Sequence, residues 1–143
     1  MELIKQIHRT SCAIACVAMI AGTTYKDAIK KVLPRKKKHS DYGATVINIV
    51  KGLMRLGFMP TFAFKKNVKL NKLKRNAILL LQENDYDGHA VVWDAKRKAI
   101  LDPEFDKALS LRDKIEDDDG NLITVNKYFQ DKFFAYITIR KPR

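Results

Sequence analysis

The run Cys12-Ala13-Ile14-Ala15-Cys16-Val17-Ala18-Met19-Ile20 is apolar on every side of a helical wheel and stops at Gly22. A helix apolar all round has to be buried on all sides, so the other elements of the chain must form a shell about it. Ser11 or Thr10 stands where such a helix takes its N-cap, and Gly22 where it takes a left-handed last residue. The run is about half the roughly 20 residues of a membrane span, which makes it a core helix.

The rest of the N-terminal half reads as amphipathic helices. Thr24 caps a helix over about Tyr25–Leu33, with Ala28, Ile29 and Val32 inward and Pro34 as its stop. A third helix covers about Ala44–Leu56 on the stripe Val46, Ile49, Val50 and Leu53, although Gly52 weakens it. The C-terminal half reads as strands. Phe62 and Phe64 alternate with polar or small neighbours in Thr61–Lys65. Ala77–Leu81 is a continuous apolar run, as in a fully buried strand. Asn84-Asp85-Tyr86-Asp87-Gly88 is turn chemistry, His89–Trp93 the next strand, Lys96-Arg97-Lys98 a turn, Ala99–Leu101 a third strand, Asp117–Gly120 an acidic loop and Phe134–Ile139 a closing strand. Helices followed by antiparallel strands make an α+β domain.

At 143 residues, 46% apolar and 31% charged, the chain fits one globular domain over 1–143. No stretch suits a membrane span, and Met1–Lys5 lacks the layout of a signal peptide, so the expected location is cytoplasmic. Cys12 and Cys16 stand four apart on one helix, where Cβ atoms lie about 5–6 Å apart, and a disulfide needs about 3.5–4.5 Å. Free thiols in a reducing compartment follow. The net charge is +12, much of it in Arg35-Lys36-Lys37-Lys38 and in Lys65, Lys66, Lys69, Lys72, Lys74 and Arg75. Such clusters either attract an acidic partner, nucleic acid or an acidic protein, or form a solvated face. No aromatic residues interleave with them, which argues against a single-stranded nucleic acid as partner.

Cysteine catalysis needs a thiolate, an imidazole, a group that orients the imidazole, and oxyanion donors. Cys12 begins its helix, where free N–H groups and the dipole favour a thiolate and offer an oxyanion donor. It fits equally a small core residue. His89 opens a strand and can project from a rigid support, or be an ordinary satisfied histidine. Asp102 ends the adjacent strand of a hairpin and can accept from one ring nitrogen, or serve as an Asx turn before Pro103. Gln6 can offer a side-chain N–H to an oxyanion.

Taken together, these parts resemble the C39 peptidase family, the double-glycine leader peptidases that usually form the N-terminal domain of bacteriocin-exporting ABC transporters. Gln6 to Gly22 is similar to the family's opening, with the same glutamine-to-cysteine spacing. His89-Ala90-Val91-Val92 and Asp102-Pro103 resemble its later motifs, and Gly43–Gly57 its middle helix. Ser11 replaces the family's aspartate and Ala13 its glycine. The resemblance implies a papain-like fold with N-terminal helices packed on a C-terminal antiparallel sheet. It implies Cys12 as nucleophile, His89 as general base and acid, Asp102 as its orienting group, Gln6 in the oxyanion hole and Cys16 as a packing residue. The substrate would be a protein or peptide, cut after small residues such as Gly-Gly.

No transporter follows the peptidase-like region, so a stand-alone enzyme is expected. Two other readings keep the same fold: a non-catalytic basic module that holds an acidic partner, and a deamidase or acyl transferase using the same triad. No cofactor and no metal are expected. Cys12, Cys16, His8 and His89 make a zinc set on paper, but one Cys pair with no second half is a weak pattern.

Overall fold

A computed structural model of the chain describes residues 1–6, 11–34, 44–82 and 88–141. Three helices come first: α1 (Cys12–Ala21), α2 (Tyr25–Val32) and α3 (Val46–Arg55). The strands β1 (Met59–Phe64), β2 (Ala77–Gln82), β3 (Gly88–Asp94), β4 (Ala99–Leu101) and β5 (Leu109–Ser110) follow. Next come β6 (Lys114–Glu116), β7 (Leu122–Thr124), α4 (Val125–Lys132) and β8 (Phe133–Arg140). Six strands form one sheet in the order β1-β8-β2-β3-β4-β5, each pair antiparallel, and β6 and β7 form a separate hairpin. The architecture is α+β, with the leading helices packed on the sheet.

The apolar run of α1 is buried from Ala13 to Met19. It packs with α2, α3 and one sheet face, to which β2 contributes Ile78 and Leu80, β3 Ala90 and Val92, and β8 Ala135 and Ile137. The alternate residues Leu79, Leu81, Val91 and Trp93 enter a second core with Leu70, Val125 and Phe129 on the other face. With both faces covered, Ala77–Leu81 has no solvent side to mark with polar residues.

Gly22, at φ +65°, closes α1: its N–H reaches Met19 O and the Thr23 N–H reaches Ala18 O. At the other end, Ser11 occupies the N-cap and is buried, but its side chain makes no capping hydrogen bond. The expected Ser11 cap is therefore corrected, and Thr10 lies outside the described residues. Thr24 and Thr45 do cap α2 and α3, the latter in a reciprocal box with Asn48. Gly52 has a packing reason: a Cβ there would stand 2.7 Å from Val32 Cγ2 and 3.1 Å from Val32 Cα, so its absence lets α2 and α3 approach.

The all-strand reading of the C-terminal half is corrected by α4, and β5, β6 and β7 are additional. Thr124 caps α4, which buries only Val125 and Phe129. The turn expected over 84–87 and the basic cluster 35–38 lie outside the described residues.

Candidate active site

The pairing of β3 with β4 builds the site. Val92 faces Leu101 and Trp93 faces Ile100, so the start of β3 lies beside the end of β4. His89 is the second residue of β3, and Asp102 follows the last residue of β4. His89 Nε2 lies 2.7 Å from Asp102 Oδ1, with both side chains about 5% exposed. Asp102 is also fixed by its own turn: Oδ1 accepts the Glu104 N–H at 2.9 Å, and its carbonyl accepts the Phe105 N–H at 3.0 Å. The turn role and the histidine-orienting geometry coexist in one residue.

Cys12 is the first residue of α1 and is half-buried. Its side chain interacts electrostatically with His89, which thus lies near both a thiol and a carboxylate. Since Nε2 faces Asp102, Nδ1 is the ring nitrogen left for sulfur. Burial by itself pushes the His89 pKa down. The side-chain interactions with Asp102 and Cys12, with the charges of both, outweigh it and hold the pKa at about 10. The imidazole is therefore charged at neutral pH.

Gln6 arrives on the N-terminal segment. Its backbone N–H donates to Pro103 O at 3.2 Å, and Lys5 Nζ pairs with Asp106 Oδ1 at 2.5 Å. Lys5 and Gln6 are thereby tied to the turn that holds Asp102, and Gln6 Oε1 is buried. All four residues singled out from the sequence belong to this one region. Glu104 and Asp106 were not singled out, although an Asx turn at Asp102-Pro103 foreshadows the role of Glu104.

Cys16 is fully buried one turn further along α1. Burial pushes its thiol well above the ordinary range, with the charges of Cys12 and Asp102 adding to the rise. In the paper zinc set, His8 lies outside the described residues and Cys16 is enclosed by core. Among the described residues the metal-binding atom types converge elsewhere, on His89, Asp102 and Glu104, within 4.8 Å of one another. Two of those three already share a hydrogen bond.

The three leading helices on one face of an antiparallel sheet, with a thiol at a helix N-terminus near a strand-borne imidazole, make a papain-like fold. The model of the Peptidase C39 family matches residues 1–130, and the chain belongs to that family. Among solved structures it is similar to the peptidase domain of Streptococcus ComA, described as a bi-functional ABC transporter of a quorum-sensing pathway. The TM-score is 0.66 at 19% identity, over 99% of this chain and 98% of that one. A double glycine motif protease from an AMS/PCAT transporter, solved with its leader peptide, gives 0.62 at 17% identity, over 99% and 91%. The Streptococcus mutans ComA peptidase domain with a small-molecule inhibitor gives 0.60 at 18% identity, over 98% and 99%. At these identities the likeness is one of fold. No curated protein matches the chain.

Proposed function

We propose that the protein is a cysteine peptidase with Cys12 as nucleophile, and the observation that carries this reading is the position of His89 near both Asp102 and Cys12. The Cys12 thiolate adds to the carbonyl carbon of the scissile bond. The oxyanion that forms takes N–H donors from the start of α1 and from the Gln6 side chain. Protonated His89 passes its proton to the leaving amine as the C–N bond breaks, which leaves a thioester on Cys12. His89, now neutral, takes a proton from water as the water attacks the thioester, and the C–S bond breaks to release the acid and restore the Cys12 thiolate beside protonated His89. Asp102 keeps the ring aligned and offsets its charge.

The substrate is a peptide or a peptide segment of a protein. Support comes from membership of the C39 family and from the leader peptide bound by a neighbour of the same fold. Cleavage falls after small residues such as Gly-Gly, where the absence of side chains lets the backbone approach Cys12 closely. The enzyme works in a reducing compartment, the cytoplasm, where Cys12 stays a thiol.

The test is digestion of a peptide library at low and high salt, with the cut sites mapped by mass spectrometry. Cuts after Gly-Gly at rates insensitive to salt are expected. Cuts confined to acidic sequences and fading with salt would contradict the specificity. A thiol that labels readily while no peptide is cleaved would contradict hydrolysis and turn the assignment to deamidation or acyl transfer.

A further inference from the structure

The outer surface of α2 and α3 has no part in the site described above. Lys26, Lys30 and Lys31 are exposed on α2, and Lys51 and Arg55 on α3. Ile47, Lys51, Met54 and Arg55 follow one another at helical spacing, so they share one stripe of α3. Two of them are large aliphatics left in solvent, Ile47 at 64% and Met54 at 60% exposure. The close approach at Gly52 and Val32 brings the two helices together, and the Arg55 guanidinium donates to Lys31 O at 2.7 Å. The two adjacent helices together expose five cations and two large apolar side chains.

Anionic groups within the chain offset these charges only in part. No Asp or Glu occurs in the sequence between Asp41 and Glu83. On α2 the lone carboxylate, Asp27, accepts from the Thr23 hydroxyl and, one turn before Lys30 and Lys31, offsets part of their charge. Among the described residues, the lysine and arginine ion pairs engage Lys5, Arg97, Lys127 and Lys132, and no cation of α2 or α3. The helix dipole favours Lys30 and Lys31 in the last turn of α2, but it disfavours Lys26 in the first. Nor does it account for Lys51 in mid-helix or for the exposed Ile47 and Met54.

We propose that the α2–α3 face docks on an anionic lipid surface. The five cations would meet headgroup phosphates, and Ile47 and Met54 would enter the interfacial layer. Clusters of this size on a helical surface are drawn to anionic bilayers, and lysine stems can lie along apolar surface while their charges stay in the polar zone. A nucleic acid would use the cations but has no place on its backbone for two aliphatics, and the patch has no aromatic ring for base stacking. A protein partner fits less well because lysine, four of the five cations here, is depleted from the cores of protein interfaces.

The experiment is flotation of the full chain with vesicles of phosphatidylcholine alone or with 30% phosphatidylserine (a chosen composition), at low and near-physiological salt. Expected is binding to the anionic vesicles only, weakened about tenfold or more in a Lys30→Gln, Lys31→Gln, Lys51→Gln triple variant. Ile47→Ser with Met54→Ser should reduce the part of the binding that survives salt. A Lys69→Gln, Lys72→Gln, Lys74→Gln variant carries the same charge change off this face and should bind nearly as well as the wild type. Thermal melts and Cys12 labelling identify any variant that has not folded. If the anionic vesicles stay unbound, or if both triple variants lose binding equally, the proposal is wrong. Tighter capture by duplex DNA or polyglutamate than by the vesicles would also overturn it, in favour of a nucleic acid or an acidic protein.

Discussion

The Oδ1 atom of Asp102 lies 2.7 Å from His89 Nε2 and also accepts the Glu104 backbone N–H at 2.9 Å. One carboxylate oxygen thus joins the imidazole to the turn that fixes the carboxylate in space. Asn at position 102 keeps an oxygen for the turn but loses the charge. Asp102→Asn should retain the fold and lower kcat by no more than the roughly 10²–10⁴ that general acid–base catalysis contributes. Cys12→Ala should leave no Cys12-dependent turnover. Steady-state rates on one peptide decide it, and an Asp102→Asn loss as complete as that of Cys12→Ala would show that Asp102 does more than orient.

The charge state of His89 gives a pH signature. Its folded pKa of about 10 lies above the ordinary value near 6.5, so the folded state holds a proton that the unfolded state releases between them. The stability this supplies is fully present below about pH 6.5 and is lost as pH rises through about 10. Chemical denaturation from pH 6 to 10.5 should show that fall, and it should be smaller in Asp102→Asn. The alkaline limb of kcat/KM should likewise lie well above 6.5, as an apparent value of the coupled Cys12–His89 pair. An alkaline limb near 6.5 would mean that His89 is not held in its charged form.

The two thiols should differ sharply in reactivity. Cys12 is half-buried at a helix start beside a cationic imidazole, while Cys16 is enclosed and its thiol is pushed well above the ordinary range. Brief iodoacetamide treatment near neutral pH, followed by peptide mapping, should place the label on Cys12. Preferential label on Cys16 would reverse the assignment.

In the proposed mechanism Gln6→Ala removes one oxyanion donor, and it should cost about 10²–10³ in kcat with little change in KM. The backbone bond from Gln6 N–H to Pro103 O survives the substitution, so the thermal midpoint should hardly move. A variant that mainly loses thermal stability would make Gln6 a structural residue.

Much of the site was legible because its parts, each ambiguous alone, together resemble the C39 motifs in order and spacing. A cysteine after a cap position, a histidine opening an apolar strand and an aspartate before proline at the end of the next strand were all visible. A hairpin of the two strands would bring the last two together, as the pairing of β3 with β4 does. The start of α1 was legible in position but not in mechanism, since Ser11 is buried without capping. What remained hidden lacks a pattern. β5 has two residues and β6 and β7 three each, too few to show alternation, and α4 buries only two residues in eight. Gly52 read as a flaw because its cause, the backbone of Val32, lies on another helix.

That packing is itself testable. A Cβ at position 52 meets backbone as well as side chain, so Gly52→Ala should destabilise the fold by about 1–3 kcal/mol. Val32→Ala removes the nearest atom, Cγ2, and should recover part of the loss in the double variant. Equal stability of Gly52→Ala and wild type in denaturant titration would rule out the close contact.

The central claim is that peptide hydrolysis passes through the sulfur of Cys12. Its most direct test is the initial rate of cleavage of the best library peptide by wild type and by a folded Cys12→Ala variant. The account predicts cleavage by the wild type and a rate for Cys12→Ala indistinguishable from buffer. A variant that cleaved the same bond at a tenth of the wild-type rate or more would contradict it.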